Sequence, residues 1–335
     1  MKINTNRQSI EWFNRNIKRL LSSSDGVISI NNVHYPGHDW TIVKLLLLAG
    51  WVYVYTTIVP KHFEKYQYVD LLAGSGTTLV EETQDVVVGS PFIAHYFARN
   101  EFTNYVYVER LTDRCQALRQ RASMLLSNNF EVLKGDCNDL VKSIFTDEKC
   151  HSLVFIDNEG FDVYWETIKT VLRTNSDILI LFPTASVKRV ATERTRSCLD
   201  RFYGNSSWLN AHSFEEFLEI YVKQLTKEFR TARRKEGYVS SVHVGGEQYF
   251  YDVILVCRRG PYTNAWEYLK RKLDWKDPEI IKTTLDILKN RITSMDWFID
   301  YQKQVEFIGH GKSKNDNEKK TKLDQFLSQQ NSRQS

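Results

Sequence analysis

The chain has 335 residues, 42% of them hydrophobic, enough to bury a core in one large domain or two ordinary ones. Its 45 basic and 41 acidic side chains leave a net charge of only +4, so bulk charge demands no nucleic-acid partner and any such contact must rest on a local patch. Five scattered cysteines, at 115, 137, 150, 198 and 257, form no CxxC pair, which argues against zinc or an iron–sulfur cluster. Their odd number and the absence of a signal-peptide pattern point to a reducing, cytoplasmic setting. Cys137 and Cys257 are expected as small buried side chains.

The first predicted element is an amphipathic helix over 6–22, with Ile10, Phe13, Ile17, Leu20 and Leu21 on one side. A loop with a Pro-Gly turn follows at 34–37. The run 40–59 is apolar and long enough to suggest a membrane span. Lys44, Gly50, Thr56 and Thr57 interrupt it, and a strand begins soon after, so a buried core helix is expected and no membrane partner. Strand one is placed at 67–72. The connection 77–89 is longer than a standard βα turn, and its DVVVG suits a small hairpin. Ser90-Pro91 then opens a helix, with the serine as cap.

A regular alternation comes next. Strands are predicted at 105–109, 130–134, 152–157 and 177–182, with helices at 111–126, 138–146 and 163–173 between them. Such alternation specifies a parallel sheet with right-handed crossovers. Residues 184–237 read as a polar, basic, helical insertion. Two β runs around Gly245-Gly246 predict a terminal antiparallel hairpin. Helices are expected at 264–273 and 278–300, and a disordered tail from about 309. The expected organisation is a helical lead-in (1–60), an α/β domain (61–260) carrying the insertion, C-terminal helices (261–308) and the tail (309–335).

The chemistry collects at strand ends. Strand one carries Asp70 and runs into a turn on Gly74 and Gly76; Glu109 ends the second, Asp136 follows the third and Asp157 ends the fourth. Ligands of open α/β sheets bind beyond the carboxyl ends of the strands, so all four acids are expected around one crevice. No GxGxxG pattern is present, which weakens a dinucleotide reading, and no P-loop follows the turn. Acidic side chains suit a cationic, phosphate-free nucleoside, whereas phosphates want helix N-termini and lysines. The ordered set therefore fits S-adenosylmethionine, with Glu109 on the ribose and Asp136 by the adenine amine. Singly, each acid also reads as a helix cap or a solvated loop residue.

The segments HDWTIVKLLLLAGWVYVY, YVDLLAGSG, GSPFIAHYF and YVYVER together resemble the three-Cys-motif partner family over about 34–260. That resemblance implies a Rossmann-like class I methyltransferase sheet, its parallel strands ending in an antiparallel hairpin, with helices on both faces. It also implies a radical-SAM-like neighbour protein as partner. By the same resemblance Asp70, Gly74 and Gly76 would border the cofactor, and Lys44 would meet the methionine carboxylate; a lysine snorkelling from a core helix is the other reading of Lys44. The sequence departs from the family at Asp157-Asn158-Glu159-Gly160-Phe161, where a proline is expected after the acid. Both prolines of the amino-methylating pattern are missing. Asp157 is the catalytic candidate, as a general base or as an orienting group, and a plain polar loop is the alternative.

Two surfaces bear on partners. Lys227, Arg230, Arg233 and Arg234 cluster at the end of a predicted helix and suit phosphates of DNA or RNA, or form a solvated helix face. In the tail, KTKLDQFL places Leu323, Phe326 and Leu327 on a lysine-rich tether, resembling a sliding-clamp-binding peptide, or else a stray amphipathic turn. Two functions follow. The first is an S-adenosylmethionine-dependent methyltransferase acting on nucleic acid or a nucleic-acid-associated substrate. The second is a non-catalytic protein of that fold serving as a nucleic-acid-binding or partner subunit, tethered to a clamp by its tail.

Overall fold

The chain opens with helix α1 (Lys2–Ile28), strand β1 (Tyr35–Gly37) and helix α2 (Trp40–Ile58), followed by β2 (Tyr66–Asp70) and the pair β3 (Thr77–Val80) and β4 (Asp85–Val88). Helices and strands then alternate through α3 (Ser90–Tyr96), β5 (Asn104–Glu109), α4 (Thr112–Leu125), β6 (Phe130–Lys134), α5 (Cys137–Ile144), β7 (His151–Ile156), α6 (Trp165–Leu172) and β8 (Ser176–Phe182). Helices α7 (Thr184–Val190), α8 (Arg196–Tyr203) and α9 (Phe214–Arg233) lead to β9 (Gly237–Gly245), β10 (Phe250–Arg258) and α10 (Thr263–Lys272). The computed structural model describes residues 2–127, 129–158, 160–245, 250–272 and Asp286. The expected helix at 278–300, apart from Asp286, and the tail with Leu323, Phe326 and Leu327 lie outside the described residues.

The main sheet runs β6-β5-β2-β7-β8-β10-β9, with every pair parallel except those made by β10. This is the Rossmann-like sheet ending in an antiparallel hairpin expected from the sequence. Side chains alternate across it. Tyr68, Tyr107, Phe155 and Leu255 join the core on one face with α1, α2, α3, α4 and α10. Val69, Val108, Ile156 and Ile254 join the core on the other face with α5 to α9. Both faces are buried, which is why the inner strands read as unbroken apolar runs. Cys137 and Cys257 are buried within these cores.

Several expectations are refined. Helices α1 and α2 are not an appended lead-in: Leu45, Leu46, Leu48 and Trp51 lie fully or nearly fully buried in the first core. Among the described residues the segment Trp40–Lys61 is long and apolar enough to cross a membrane, yet most of it is buried against the rest of the chain. The segment 184–237 is also no detached insertion, since α9 sinks Phe217, Tyr221, Leu225 and Phe229 into the second core and is the crossover to β9. The expected small hairpin is β3–β4, and β1 pairs in parallel with β3 to make a separate three-stranded sheet. Helix α3 has Gly89 rather than Ser90 at its N-cap, Gly89 N donates to Gly76 O at 2.8 Å, and the Ser90 hydroxyl bonds to Asp70 instead of capping.

A core role for α2 has a measurable consequence. Leu46→Ala should destabilise the protein by about 2–5 kcal/mol in denaturant unfolding, the range for deleting a fully buried leucine. A surface or membrane-facing leucine would leave the midpoint nearly unchanged.

Candidate functional site

The strand order reverses direction at β2, whose neighbours β5 and β7 follow it in sequence and lie on opposite sides. The chain beyond β2 stays pinned between them: Leu71 N donates to Phe155 O at 3.1 Å and Ala73 N to Val108 O at 2.9 Å. The turn then closes with Gly74 at φ 62° and Gly76 at φ 85°. Any Cβ at Gly76 would sit 2.4 Å from Phe92, so only glycine makes this turn without displacing α3.

A cavity of about 290 Å³ opens over the turn, near the lower end for small-ligand sites. Its lining brings together Lys44, Gly74, Gly76, Glu109, Asp136 and Asp157, six of the seven residues singled out from the sequence. Glu109 is held by Leu111 N, which donates to Oε1 at 2.7 Å. Asp136 caps α5, accepting from Asn138 N and from Asn138 Nδ2, both at 2.8 Å. Asn138 in turn donates to Asp162 O and accepts from Tyr164 N and Thr167 Oγ1, tying the cap to the loop after β7.

Asp70 is the exception. It is fully buried beneath the turn and does not line the cavity. Tyr68 OH and Leu72 N each donate to it at 3.2 Å, and the Ser90 hydroxyl bonds to it as well. Burial, together with the nearby charge of Asp157 and against those donors, raises its carboxyl to about 7. Its role is to fix the turn and α3, not to touch a ligand.

Lys44 also departs from expectation. It projects from an apolar helix and is only 8% exposed, so its ammonium needs a counter-charge. Asp157 provides it, with Nζ and Oδ2 2.5 Å apart. Lys44 therefore faces Asp157 rather than standing free for a carboxylate. The second carboxylate oxygen, Asp157 Oδ1, is buried and has no hydrogen-bond partner among the described residues.

The basic cluster on α9 divides. Arg233 spends its guanidinium on Leu172 O, Ser176 O and Ser176 Oγ, at 2.8–2.9 Å, and lies over the Phe229 ring. It is a structural residue, contrary to the phosphate-binding expectation. Lys227, Arg230 and Arg234 are exposed. The helix ends with Arg233 beside Ser176, at the strand-start end of the sheet, while the cavity is at the other end.

Four contributors were not singled out from the sequence. Tyr35, from β1, walls the cavity beside Gly74, and the Arg114 guanidinium lies 4.3 Å from its ring centre. Asp162 adds a carboxylate to the lining. Arg121, fully buried, donates to Ser75 O in the turn and to the carbonyls of Val27, Asn31 and Val33. An arginine inside the apolar spacing of α4 was the one available signal; its carbonyl partners lie up to 94 positions away.

No family model matches the chain, and no curated protein matches it. Among solved structures it is similar to a Legionella pneumophila protein of the DUF519 family model, at 11% identity and TM-score 0.46, over 72% of this chain and 94% of that one. It is also similar to the O-methyltransferase TomG of Streptomyces achromogenes, solved with S-adenosylmethionine, at 11% identity and TM-score 0.41, over 65% and 79%. A Podospora anserina methyltransferase solved with S-adenosylhomocysteine matches at 15% identity and TM-score 0.32, over 63% and 78%. The fold stands on this chain's own strand order, and what those proteins bind belongs to them.

Two measurements probe the site. Lys44→Met should cost about 3 kcal/mol by stranding the Asp157 charge, whereas Lys44→Met with Asp157→Leu should recover most of that loss in denaturant unfolding. Because the Asp70 carboxyl titrates near 7 when folded and near 3.8 when unfolded, the folded state holds more protons between those values. Stability must then fall as pH rises from about 4 to 7. Asp70→Asn should flatten part of that fall in melting-temperature profiles, with the similarly buried Asp177, also raised to about 7, sustaining the rest.

Proposed function

We propose that the chain is an S-adenosylmethionine-dependent methyltransferase. The observation that carries this reading is the cavity itself, where a two-glycine turn admits a ligand against the backbone while Glu109 and Asp136, from the next two strands, face the same space. The residues fit the group: Glu109 would accept from the ribose hydroxyls, Asp136 would lie by the adenine, and the Gly74–Gly76 backbone would receive the methionine portion. Bound there, the cofactor supplies a methyl group on a positively charged sulfur.

This chain's own contribution is alignment and proton transfer. Asp157 lines the cavity with Oδ1 unpaired. That oxygen would take the proton that the acceptor atom gives up on methylation. The Lys44 ammonium, paired to Oδ2, holds the Asp157 carboxylate in place. The expected nucleic-acid acceptor gains nothing from the α9 cluster, because Arg233 is committed within the fold and its neighbours sit at the far edge.

The resemblance to three-Cys-motif partner proteins belongs to the same reading. The second reading, a non-catalytic partner subunit, draws on the missing prolines after Asp157 and on the direct engagement of that acid by Lys44. Turnover separates the two, since both permit cofactor binding.

Calorimetry with S-adenosylhomocysteine tests the cofactor. Wild type should bind it, and Glu109→Ala should bind roughly 10- to 100-fold more weakly, the loss of one or two hydrogen bonds to a charged group. Asp136→Asn, which keeps the helix cap, should weaken binding about tenfold or less. No heat with wild type at about 1 mM ligand, on a folded sample, would remove the cofactor from this site.

A further inference from the structure

A second cavity, about 360 Å³, adjoins the first. The two share Tyr35, Pro36, Thr41, Lys44 and Asp157, so the ion pair stands in the wall between them. The second cavity lies between the start of α2, the carboxyl end of β8 and the start of β10. Its walls are aromatic and apolar: Trp40, Tyr251 and Phe250, with Leu181 and Pro183. Tyr251 OH donates to Trp40 O at 2.8 Å, and Phe250 packs edge-on against Phe214, so these walls are fixed. Charged groups of both signs, Glu81 and Arg189, join the lining from exposed positions, with His38 beside them.

We propose that this cavity binds a small planar aromatic molecule bearing a hydroxyl group, with the hydroxyl at the Lys44–Asp157 pair. Three observations converge on that chemistry. Flat aromatic walls favour a flat ring by stacking and edge contacts. Asp157 Oδ1, buried and unpaired, calls for a donor. Lys44 has three N–H donors, of which one goes to Asp157 Oδ2. A hydroxyl both donates and accepts, so it satisfies the carboxylate and the ammonium together. An arylamine nitrogen, its lone pair drawn into the ring, accepts poorly and satisfies only the first. The mixed signs among the exposed lining residues give no net pull on a charged ligand, and the volume admits one or two fused rings but no duplex or folded peptide.

Calling this the acceptor site rests on the cofactor reading above; the ligand chemistry does not. The test uses the full chain and two probes, 2-naphthol and its methyl ether 2-methoxynaphthalene, in calorimetry with and without S-adenosylhomocysteine. The expected result is 2-naphthol binding with Kd below about 1 mM, with the ether at least tenfold weaker because its oxygen has no proton for Asp157. Ser186→Trp, which fills the second cavity from α7, should weaken 2-naphthol at least tenfold and leave S-adenosylhomocysteine binding as a measure of intact fold. Absence of 2-naphthol binding, equal binding of the ether, or undiminished binding by folded Ser186→Trp overturns the proposal. Should that variant fail to fold, the ether comparison on wild type decides. If 2-naphthol binds and S-adenosylhomocysteine does not, the aromatic site stands and the cofactor reading falls; the reverse pattern removes the aromatic site alone.

Discussion

The cavity depends on a buried arginine that has no acid paired with it among the described residues. Arg121 is fully enclosed, and among the described residues its guanidinium bonds to backbone carbonyls: Val27 at the end of α1, Asn31 and Val33 in the following loop, and Ser75 in the glycine turn. Burial lowers its affinity for the proton, bringing the group to about 10, yet it remains charged at neutral pH. Charge-assisted bonds to several carbonyl dipoles offset the desolvation cost and fix geometry at once. They join two walls of the cavity that the chain order keeps apart, the turn after β2 and the segment that delivers Tyr35. Asp70 does the matching work from below, binding the same turn to α3 through Ser90. The floor is thus clamped by one buried cation above and one buried acid beneath, neither of which touches the cavity's contents.

That arrangement explains what was legible in the sequence. The sheet was readable because its inner strands are apolar on both faces, so runs such as 104–109 and 176–182 stand out with little ambiguity. The turn was readable because positive φ at two positions leaves glycine as the residue of choice. Glu109, Asp136 and Asp157 were placed correctly because strand-end position alone delivers them to one edge. Asp70 was misplaced for the same reason. It shares their pattern, but as a strand residue it points into the core, and strand parity could not be assigned without knowing where the strand stops. Lys44 and Asp157 are 113 positions apart, Arg121 and Ser75 are 46 apart, and no local periodicity encodes either contact. Arg233 read as surface because charged helix ends usually are, until tertiary packing supplied it with three acceptors.

The same contacts set the electrostatics of the site. The lining carries four carboxylates, from Glu109, Asp136, Asp157 and Asp162, and three cationic groups, from Lys44, Arg110 and Arg114. They are not mixed at random. Arg114 rests on the Tyr35 ring, and Lys44 cancels Asp157 at the boundary with the second cavity. Glu109 and Asp136, at the ends of neighbouring strands, lie on the β5–β6 side, where the sequence reading placed the nucleoside. Without Asp157, the Lys44 ammonium would repel a cationic sulfur brought to that end; with it, the local charge is close to zero and one buried carboxylate oxygen remains unpaired. The pair therefore makes the boundary hospitable to a cation on one side and to a hydrogen-bonding neutral group on the other.

The remaining basic surface belongs to a different part of the molecule. Helix α9 starts at Phe214, which contacts Phe250 at the cavity edge, and ends at Arg233 beside Ser176, the first residue of β8. Twenty residues of helix span about 30 Å. Lys227 and Arg230 are thus most of a helix length from the ion pair between the two cavities. Long-range attraction from exposed charges is largely screened beyond about 8–10 Å at physiological salt, so this cluster does not set the electrostatics of the two cavities. A polyanion on that patch would leave both cavities accessible. The separation follows from topology: α9 must run antiparallel to β8 to return the chain for β9, so a basic helix end is carried to the edge opposite the one where the strands deliver their carboxylates.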